Sequence, residues 1–280
     1  MTSLPRATKA IIPTAGWGTR RMPVAKSVEK CMLPLGNRPT VDYLVADCVK
    51  AGIKDIYFVV SGPAEQLRSY YSRQVELEKY LANKGKDALV QAVTPPEGVR
   101  FHFVEQDMHD PRYGTAVPIW ICRDYIAEDE SVVILMGDAV TYNLDGPSDV
   151  EQMVAMEQPV ALGIEVGADV DLSKTGGVIS LTPDGHYSHI VEHADPEVEP
   201  SRIKNCAMYV LPGSVMRYTD DYMRSGKPAY NGEWFFTDVV NEMTRDMDIE
   251  VYVGQGEFLD SGDVESWVRA NQWLLLNGQL

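Results

Sequence analysis

A glycine-rich segment near the start of the chain carries residue types suited to phosphate chemistry. Residues 13–23 read PTAGWGTRRMP, and two lysines follow at Lys26 and Lys30. Glycines let backbone N–H groups approach phosphate oxygens without obstruction by a side chain. The planar guanidinium of Arg20 can clamp a phosphate, and each lysine supplies a point charge. The segment therefore meets the main needs of phosphoryl transfer, which are positioning and charge neutralisation.

The spacing of the glycines excludes two other phosphate-binding loops. A dinucleotide fingerprint needs G-x-G-x-x-G, and its last position here is Arg21. A Walker A loop needs G-x-x-x-x-G-K followed by Ser or Thr, a run that the sequence lacks. Since a G-x-G turn alone is more often structural, the prediction depends on the glycines, Arg20 and both lysines together.

The charge of the chain is unevenly distributed. The formal net charge is −16 at pH 7, yet residues 1–40 contain seven lysines and arginines and only one acidic residue, Glu29. An acidic surface does not wrap a nucleic-acid duplex, so we expect no nucleic-acid partner. A basic island on an acidic protein indicates a small anionic ligand, because charge focused in a cleft acts at short range.

The overall composition favours a soluble globular protein of the cytoplasm. Hydrophobic residues make up 45% and charged residues 24% of the chain, which is typical of soluble globular proteins. No run approaches the roughly 20 apolar residues that cross a bilayer, so we expect no membrane partner. The four cysteines lie far apart and form no C-x-x-C pair, a pattern typical of reduced thiols in a core.

Strands and helices alternate through the first half of the sequence. Apolar runs predict strands at KAIIPT, DIYFVVSG, RFHFVEQ and SVVILMGDA. Helical patterns cover residues 39–52, residues 64–92 with a break near Gly85, and residues 115–126. This alternation indicates βαβ units and a parallel sheet.

The second half of the sequence is richer in strands. They are predicted at VALGIEVG, GVISLT, HYSHIVEH and NCAMYVL, with helices near 212–224, 236–246 and 263–277. We therefore predict one α/β domain over residues 1–280. Its central sheet should be mixed but mostly parallel and flanked by helices, with a small β-rich extension.

Two aspartates follow apolar runs where strands should end. Asp138 comes directly after SVVILMG, and Asp260 lies in FLDSGD. Open α/β sheets bind ligands at the carboxyl ends of their strands. Mg²⁺ takes one or two protein carboxylates together with substrate phosphates and water. A lone aspartate after a strand is more often a turn residue, so a magnesium site requires both carboxylates to converge.

The segment KAIIPTAGWGTRRMPVAKSVEKCMLPL resembles the signature of the bacterial UTP–glucose-1-phosphate uridylyltransferase family, GxGTRxxPxTKxxPKEMLP. The similarity continues through YGTAV, GGVI and LDSGD over almost the full length. It includes the charged insertion at about 64–100, whose counterpart the thymidylyl- and cytidylyltransferase relatives lack. The resemblance implies a Rossmann-like nucleotidyltransferase fold with a nucleotide-binding half, about 1–145, and a sugar-phosphate-binding half, about 146–280.

The resemblance also implies an activity. A uridylyl group would pass from UTP to a sugar 1-phosphate, glucose 1-phosphate above all, giving UDP-sugar and pyrophosphate with Mg²⁺ as cofactor. The resemblance further implies a homo-oligomer, either a dimer or a tetramer.

The family motif assigns roles to individual residues. It implies that the nucleotide is bound by Ala15, Gly16, Gly18, Thr19, Lys26, Gln106 and Gly114. The catalytic positions are Arg20 and Lys30, with Lys30 at the reacting α-phosphate. The side-chain amide of Gln106 offers both a donor and an acceptor to a pyrimidine edge. The two metal positions correspond to Asp138 and Asp260.

The sugar phosphate has its own expected contacts. Gly177 lies in GGVIS, which matches the family's YGVV segment, and VEHAD matches the family's VEKP. Glu192 would then accept hydrogen bonds from sugar hydroxyls. His193 stands where the family has a lysine that binds the sugar's phosphate. An imidazole with an ordinary pKa of about 6.5 is only partly charged at neutral pH.

Three departures from the family pattern keep other functions open. Glu29 places a carboxylate beside Lys30, where it can draw the ammonium away from phosphate, and Cys31 and His193 replace a glutamate and a lysine. One alternative is a related enzyme that uses dTTP, CTP or another sugar phosphate. The other is a weakly active paralogue that binds nucleotide and regulates a partner enzyme.

Overall fold

In the computed structural model, residues 3–168, 170–171, 176–192, 201–228 and 232–279 are described. The elements of the first half are β1 (Lys9–Pro13), β2 (Pro34–Leu35), β3 (Arg38–Pro39), α1 (Thr40–Ala51), β4 (Asp55–Val60), α2 (Glu65–Tyr70), α3 (Val75–Asn83), α4 (Asp87–Val93), β5 (Arg100–Glu105), α5 (Ala116–Ile121) and β6 (Ser131–Leu135). Short 3₁₀ turns occupy much of the segment between β1 and β2.

The second half continues the alternation with more strands. Its elements are β7 (Ala139–Tyr142), α6 (Asp149–Ala155), β8 (Val160–Glu165), β9 (Gly177–Leu181), β10 (Tyr187–Glu192), β11 (Ile203–Pro212), α7 (Val215–Arg224), α8 (Phe236–Met243), β12 (Glu250–Val253), β13 (Glu257–Asp260) and α9 (Val264–Leu276). Within the described residues, no helix has the length and apolar character needed to cross a membrane.

One nine-stranded mixed sheet organises these elements. Its strand order is β10-β9-β11-β6-β1-β4-β5, and β8 pairs with both β11 and β12. The four strands β6, β1, β4 and β5 run parallel, as the βαβ pattern predicts. Strand β11 is antiparallel to β6, β8 and β9 and joins the parallel half to the β-rich second half. The predicted mixed α/β fold is therefore confirmed.

Helices bury both faces of the sheet. In β4 every residue is buried, and Ile56 and Phe58 face one core while Tyr57 and Val59 face the other. Helices α1, α6 and α9 contribute to the first core, and α5, α7 and α8 to the second. Burial on both sides explains the continuous apolar run of this parallel strand. It also leaves only the strand ends open for polar chemistry.

The insertion was predicted as a helix over 64–92 with one break near Gly85, whereas the structure has three helices, α2, α3 and α4. The break near Gly85 is confirmed. A second break, at residues 71–74, follows from Tyr71, whose buried ring stacks on Phe58 and Phe101 with centroids 5.4 and 4.4 Å away. Packing that ring into the core turns the chain away from the line of α2.

Helix α6 and strand β12 were absent from the sequence prediction. The start of α6 nevertheless has a local signal, because Ser148 and Glu151 form a reciprocal capping box. Strand β12 has four half-buried residues and pairs in parallel with β8. Its position depends on a distant partner, and a run this short carries little periodicity of its own.

Buried Asp149 fixes the connection that leads into β13. Its carboxylate accepts hydrogen bonds from the backbone N–H groups of Gln255 and Gly256, at 3.1 and 3.2 Å, and from the amide of Asn143 at 3.1 Å. The side chain is fully buried. The start of α6 is thereby tied to the loop that carries the chain toward Asp260.

Replacing this carboxylate should destabilise the fold. We expect Asp149→Ala to lower the free energy of unfolding by about 3 kcal/mol, because it removes the buried acceptor of two part-buried backbone N–H groups and of the Asn143 amide. Urea denaturation followed by circular dichroism measures the loss. The control is Asp145→Ala, an exposed aspartate in the preceding turn. Equal midpoints for the two variants would show that Asp149 does not hold this connection.

Candidate functional site

The glycine-rich loop begins at the carboxyl end of β1, between the ends of β4 and β6. Thr14 is buried and donates its hydroxyl to the carbonyl oxygen of Val59 at 2.8 Å, and the N–H of Ala15 donates to the same oxygen at 2.7 Å. Gly16 and Gly18 follow with positive φ angles of 121° and 59°. The base of the loop is therefore held by β4, while its tip extends past the edge of the sheet.

Gly18 lets the loop pack against the segment that carries Lys30. A Cβ at this position would lie 3.1 Å from the Cβ of Ala25 and 3.4 Å from the Cβ of Lys30. Its left-handed φ also favours glycine. The fourth expected loop residue, Thr19, is exposed, as is Lys26. The Lys26 ammonium makes no hydrogen bond or ion pair within the described part of the chain and is available to a ligand.

Lys30 and Asp138 form the central ion pair of the site. The ammonium of Lys30 lies 3.2 Å from Oδ2 of Asp138, and both side chains are partly exposed. The positive charge of Lys30 holds the pKa of the Asp138 carboxyl below its ordinary value. Two predicted site residues that are far apart in sequence are thus brought together, with Asp138 ionised at neutral pH.

Gly137 brings Asp138 to the glycine-rich loop. A Cβ at position 137 would lie 2.7 Å from the carbonyl oxygen of Pro13, so only glycine allows this approach. The N–H of Gly137 donates to the same oxygen at 3.2 Å. The ends of β1 and β6 therefore meet, and their side chains share one edge of the sheet.

Arg21 was missed as a site residue by the sequence analysis. Its side chain is only 2% exposed and donates to the carbonyl oxygen of Lys30 at 2.7 Å, and its guanidinium lies 3.8 Å from Oδ2 of Asp138. Burial lowers the pKa of Arg21, and the charge of Asp138 opposes that effect. Arg21 therefore holds the Lys30 backbone in place through this hydrogen bond. No pattern in the sequence indicates that Arg21 is buried while its neighbour Arg20 is exposed.

Asp260 joins Asp138 through a two-stranded ladder. Strand β13 pairs with β7, which places Asp260 opposite Ala139. Beyond the strand, the N–H and the hydroxyl of Ser261 donate to the carbonyl oxygen of Asp138 at 2.9 and 2.8 Å. Burial raises the pKa of the Asp260 carboxyl, and the negative charge of Asp138 raises it further. The two predicted metal aspartates are thus close enough to interact.

Arg20 approaches Asp260 from the glycine-rich loop. A Cβ at Gly262 would lie 3.3 Å from Nη2 of Arg20 and 2.9 Å from Oδ1 of Asp260. The guanidinium therefore faces the segment after β13. No cluster of three or more His, Cys, Asp or Glu residues that could hold a metal occurs in the described ranges. A pair of aspartates suits an ion whose other ligands are substrate oxygens and water.

Glu29 does not pair with Lys30, contrary to the expected competition. Its carboxylate accepts the N–H groups of Gln66 and Leu67, at 2.8 and 3.3 Å, at the start of α2. The N–H of Glu29 donates back to the side chain of Gln66 at 2.9 Å. The carboxylate thus ties the lysine segment to the insertion and leaves the Lys30 ammonium to Asp138.

Cys31 is a structural residue of this segment. It is 1% exposed, and burial, with the nearby charge of Glu29, raises the pKa of its thiol to about 12. A thiol that stays protonated is a poor nucleophile. Cys31, which stands where the family pattern has a glutamate, packs in the core with residues of α1.

The two residues expected to contact the base, Gln106 and Gly114, lie close together in the sequence. Gln106 extends β5, its N–H donating to the carbonyl oxygen of Val60 at 2.9 Å, and its side chain makes no hydrogen bond within the described residues. Packing alone explains a glycine at position 114, since a Cβ there would lie 2.4 Å from the carbonyl oxygen of Trp234. Contact of Gln106 and Gly114 with a base stays a prediction.

The expected sugar contacts meet across β9 and β10. Gly177 pairs with Glu192 in the ladder, and the hydroxyl of Thr237 on α8 donates to Oε1 of Glu192 at 3.2 Å. The Glu192 carboxylate is partly exposed and oriented by α8. His193 lies outside the described residues. The roles of Gly177, Glu192 and His193 in sugar binding stay predictions.

Similar proteins carry one recurring description. The UTP–glucose-1-phosphate uridylyltransferase 1 of Staphylococcus saprophyticus is 28% identical over 270 residues, covering 93% of this chain and 90% of that protein. The UTP–glucose-1-phosphate uridylyltransferase of Bacillus subtilis is 27% identical over 261 residues, covering 91% and 86%.

Solved structures share the fold. A UTP-bound UGPase from Acinetobacter baumannii superposes with a TM-score of 0.83 at 24% identity, covering 95% of this chain and 93% of that one. A UDP-glucose pyrophosphorylase complexed with UDP-glucose gives 0.80 at 23% identity, covering 96% and 99%. The sequence model of one family, described as Nucleotidyl transferase, matches residues 9–276. Because that match spans almost the whole chain, the protein belongs to the Nucleotidyl transferase family.

Proposed function

We propose that the protein transfers a uridylyl group from UTP to glucose 1-phosphate and releases pyrophosphate. The observation that carries the proposal is the convergence of Lys30, Asp138 and Asp260 on the glycine-rich loop at one edge of the sheet. The choice of UTP and glucose 1-phosphate rests on the names of the relatives, two of which are UTP–glucose-1-phosphate uridylyltransferases.

The proposed reaction is one in-line displacement at phosphorus. An oxygen of the sugar phosphate attacks the α-phosphorus of UTP, a new O–P bond forms, and the bond to pyrophosphate breaks. The Lys30 ammonium leaves Asp138 for the α-phosphate oxygens, where negative charge builds up in the transition state. Arg20 holds the departing phosphates with its fork of N–H donors. Arg21 keeps the Lys30 backbone in place.

Asp138 and Asp260 are the residues that would hold Mg²⁺. Asp138 is ionised, and the pKa of Asp260 is raised by burial and by the second carboxylate, a repulsion that a divalent cation would relieve. A bound Mg²⁺ supplies positive charge to phosphate oxygens in such sites.

The remaining substrate contacts are assigned from the match to the family motif. Residues of about 1–145 would bind the nucleotide, with the backbone of the loop on its phosphates and Gln106 and Gly114 on its base. Residues of about 146–280 would bind the sugar phosphate, with Glu192 on its hydroxyls. A homo-oligomer and a cytoplasmic location belong to the same proposal.

The position of Glu29 favours an active enzyme over a weakly active paralogue. A carboxylate bound to α2 leaves the charge of Lys30 available for catalysis. Purified protein incubated with Mg²⁺, glucose 1-phosphate and each of UTP, dTTP, CTP and ATP tests the proposal through pyrophosphate release. We expect UTP to give the highest kcat/KM. Preference for another nucleotide, or release with none, would contradict the proposed activity.

Removing one carboxylate charge from the site should strongly reduce turnover. We expect Asp138→Asn to lower kcat/KM at least about 100-fold at saturating Mg²⁺, since metal charge stabilisation is worth several kcal/mol. Thermal unfolding serves to check that the fold is intact. Asp145→Asn, at an exposed position, is the matched control. Near-parental turnover of Asp138→Asn would remove this residue from the metal site.

Removing the central ammonium should act on the rate rather than on nucleotide binding. We expect Lys30→Ala to lower kcat about 100- to 1000-fold while the KM for UTP changes little, because an interaction made mainly in the transition state acts on kcat. Lys54→Ala, at the opposite edge of the sheet, is the matched control. A rise in KM with unchanged kcat would assign Lys30 to UTP binding alone.

A further inference from the structure

Lys204 carries a charge that nothing within the described residues neutralises by direct contact. It lies in β11, opposite Ile164 of β8 and Val178 of β9. Its ammonium lies 4.3 Å from the centroid of the Phe258 ring. The ammonium makes no ion pair or hydrogen bond with any residue of the described ranges. An aromatic face therefore holds this cation in place and leaves its N–H donors free.

The Lys204 side chain shares a cleft with Asp260. Phe258 and Asp260 are two residues apart in β13, so their side chains point to the same face of the ladder. Lys204 and Asp260 both line a cleft of about 800 Å³ between the end of β8, the β12–β13 connection and α9. Burial raises the pKa of Asp260, and the charge of Lys204 partly opposes this rise. The cation thus lies in the same cleft as one of the two aspartates that would hold the metal.

The other cations beside this cleft are already engaged. Arg202 donates to the carbonyl oxygens of Gly167 and Val170, the latter at 2.8 Å. Arg269 pairs with Glu265 at 2.7 Å. Lys204 is therefore the basic side chain of the described cleft whose donors are free for an anion.

The ends of β9, β10 and β11 offer separate positions for the sugar hydroxyls and for the phosphate group. Paired residues share a face, so Lys204 lies on the side of Val178, and the Gly177–Glu192 pair lies on the other. A ligand that crosses the strand ends could place its hydroxyls against Glu192 and its phosphate against Lys204 and Asp260.

We propose that Lys204 binds the phosphate group of the sugar 1-phosphate beside Asp260. The inference rests on the proposed function and deepens it by naming the cation for this dianion. His193 stands where the family has a lysine, and the loss of that lysine gives a reason for another cation. The lysine would determine affinity for phosphorylated sugars without taking part in nucleotide binding.

The test removes the charge of Lys204 and keeps its apolar stem. Lys204→Met retains the contact with Phe258, Lys204→Arg retains the charge, and Lys227→Met is the control at an exposed lysine. Initial rates give the KM for glucose 1-phosphate, the KM for UTP and the Mg²⁺ concentration at half-maximal rate. We expect Lys204→Met to raise the KM for glucose 1-phosphate about 10- to 100-fold and leave the other two within about threefold. Lys204→Arg should recover most of the loss.

Three results would overturn the assignment. They are an unchanged KM for glucose 1-phosphate, a shift confined to the Mg²⁺ dependence, and an equal rise in the KM for UTP. If Lys204→Met unfolds, Lys204→Gln is measured in the same way, with circular dichroism as the check. The parental protein is assayed first. Its failure to turn over UTP with glucose 1-phosphate contradicts the proposed function, whereas normal parental turnover with unaffected variants contradicts only the role of Lys204.

Discussion

The contact on which the site depends is the ion pair between Lys30 and Asp138. It joins a residue near the start of the chain to one more than a hundred positions later, at 3.2 Å. Each partner is positioned by separate structure. Arg21 bonds to the Lys30 backbone, and the close approach of Gly137 to Pro13 brings Asp138 to the loop. In the proposed reaction the pair keeps an ammonium and a carboxylate ready for an incoming anion and cation, and the two charges neutralise each other until then.

The sheet supplies the edge where these charges meet. Parallel strands buried on both faces leave polar groups room only at their ends, and the site lies at the carboxyl ends of β1, β4 and β6. The antiparallel strand β11 extends that edge toward β9 and β10, which carry the proposed sugar contacts. Through Glu29, the insertion fixes the segment that carries Lys30. The basic start of an acidic chain is therefore concentrated where phosphate is expected.

Local patterns predicted much of this arrangement, and long-range contacts account for the rest. The glycine-rich loop, the aspartate after β6 and the βαβ alternation each depend on neighbouring residues, so the sequence was sufficient for them. Sequence could not separate buried Arg21 from exposed Arg20, because their difference is made by packing. It also misjudged Glu29, whose partner is the start of α2 and not the adjacent lysine. Side-chain direction in irregular turns follows from tertiary contacts.

The most direct test of the central claim is a crystal structure of the protein with Mg²⁺ and a nonhydrolysable UTP analogue. The quantity to measure is the distance from the Lys30 ammonium to the α-phosphate oxygens and to Asp138. We expect the ammonium within hydrogen-bond distance of an α-phosphate oxygen, Asp138 bound to the metal, and Glu29 still on α2. A lysine that remains on Asp138, with the α-phosphate elsewhere, would contradict the account.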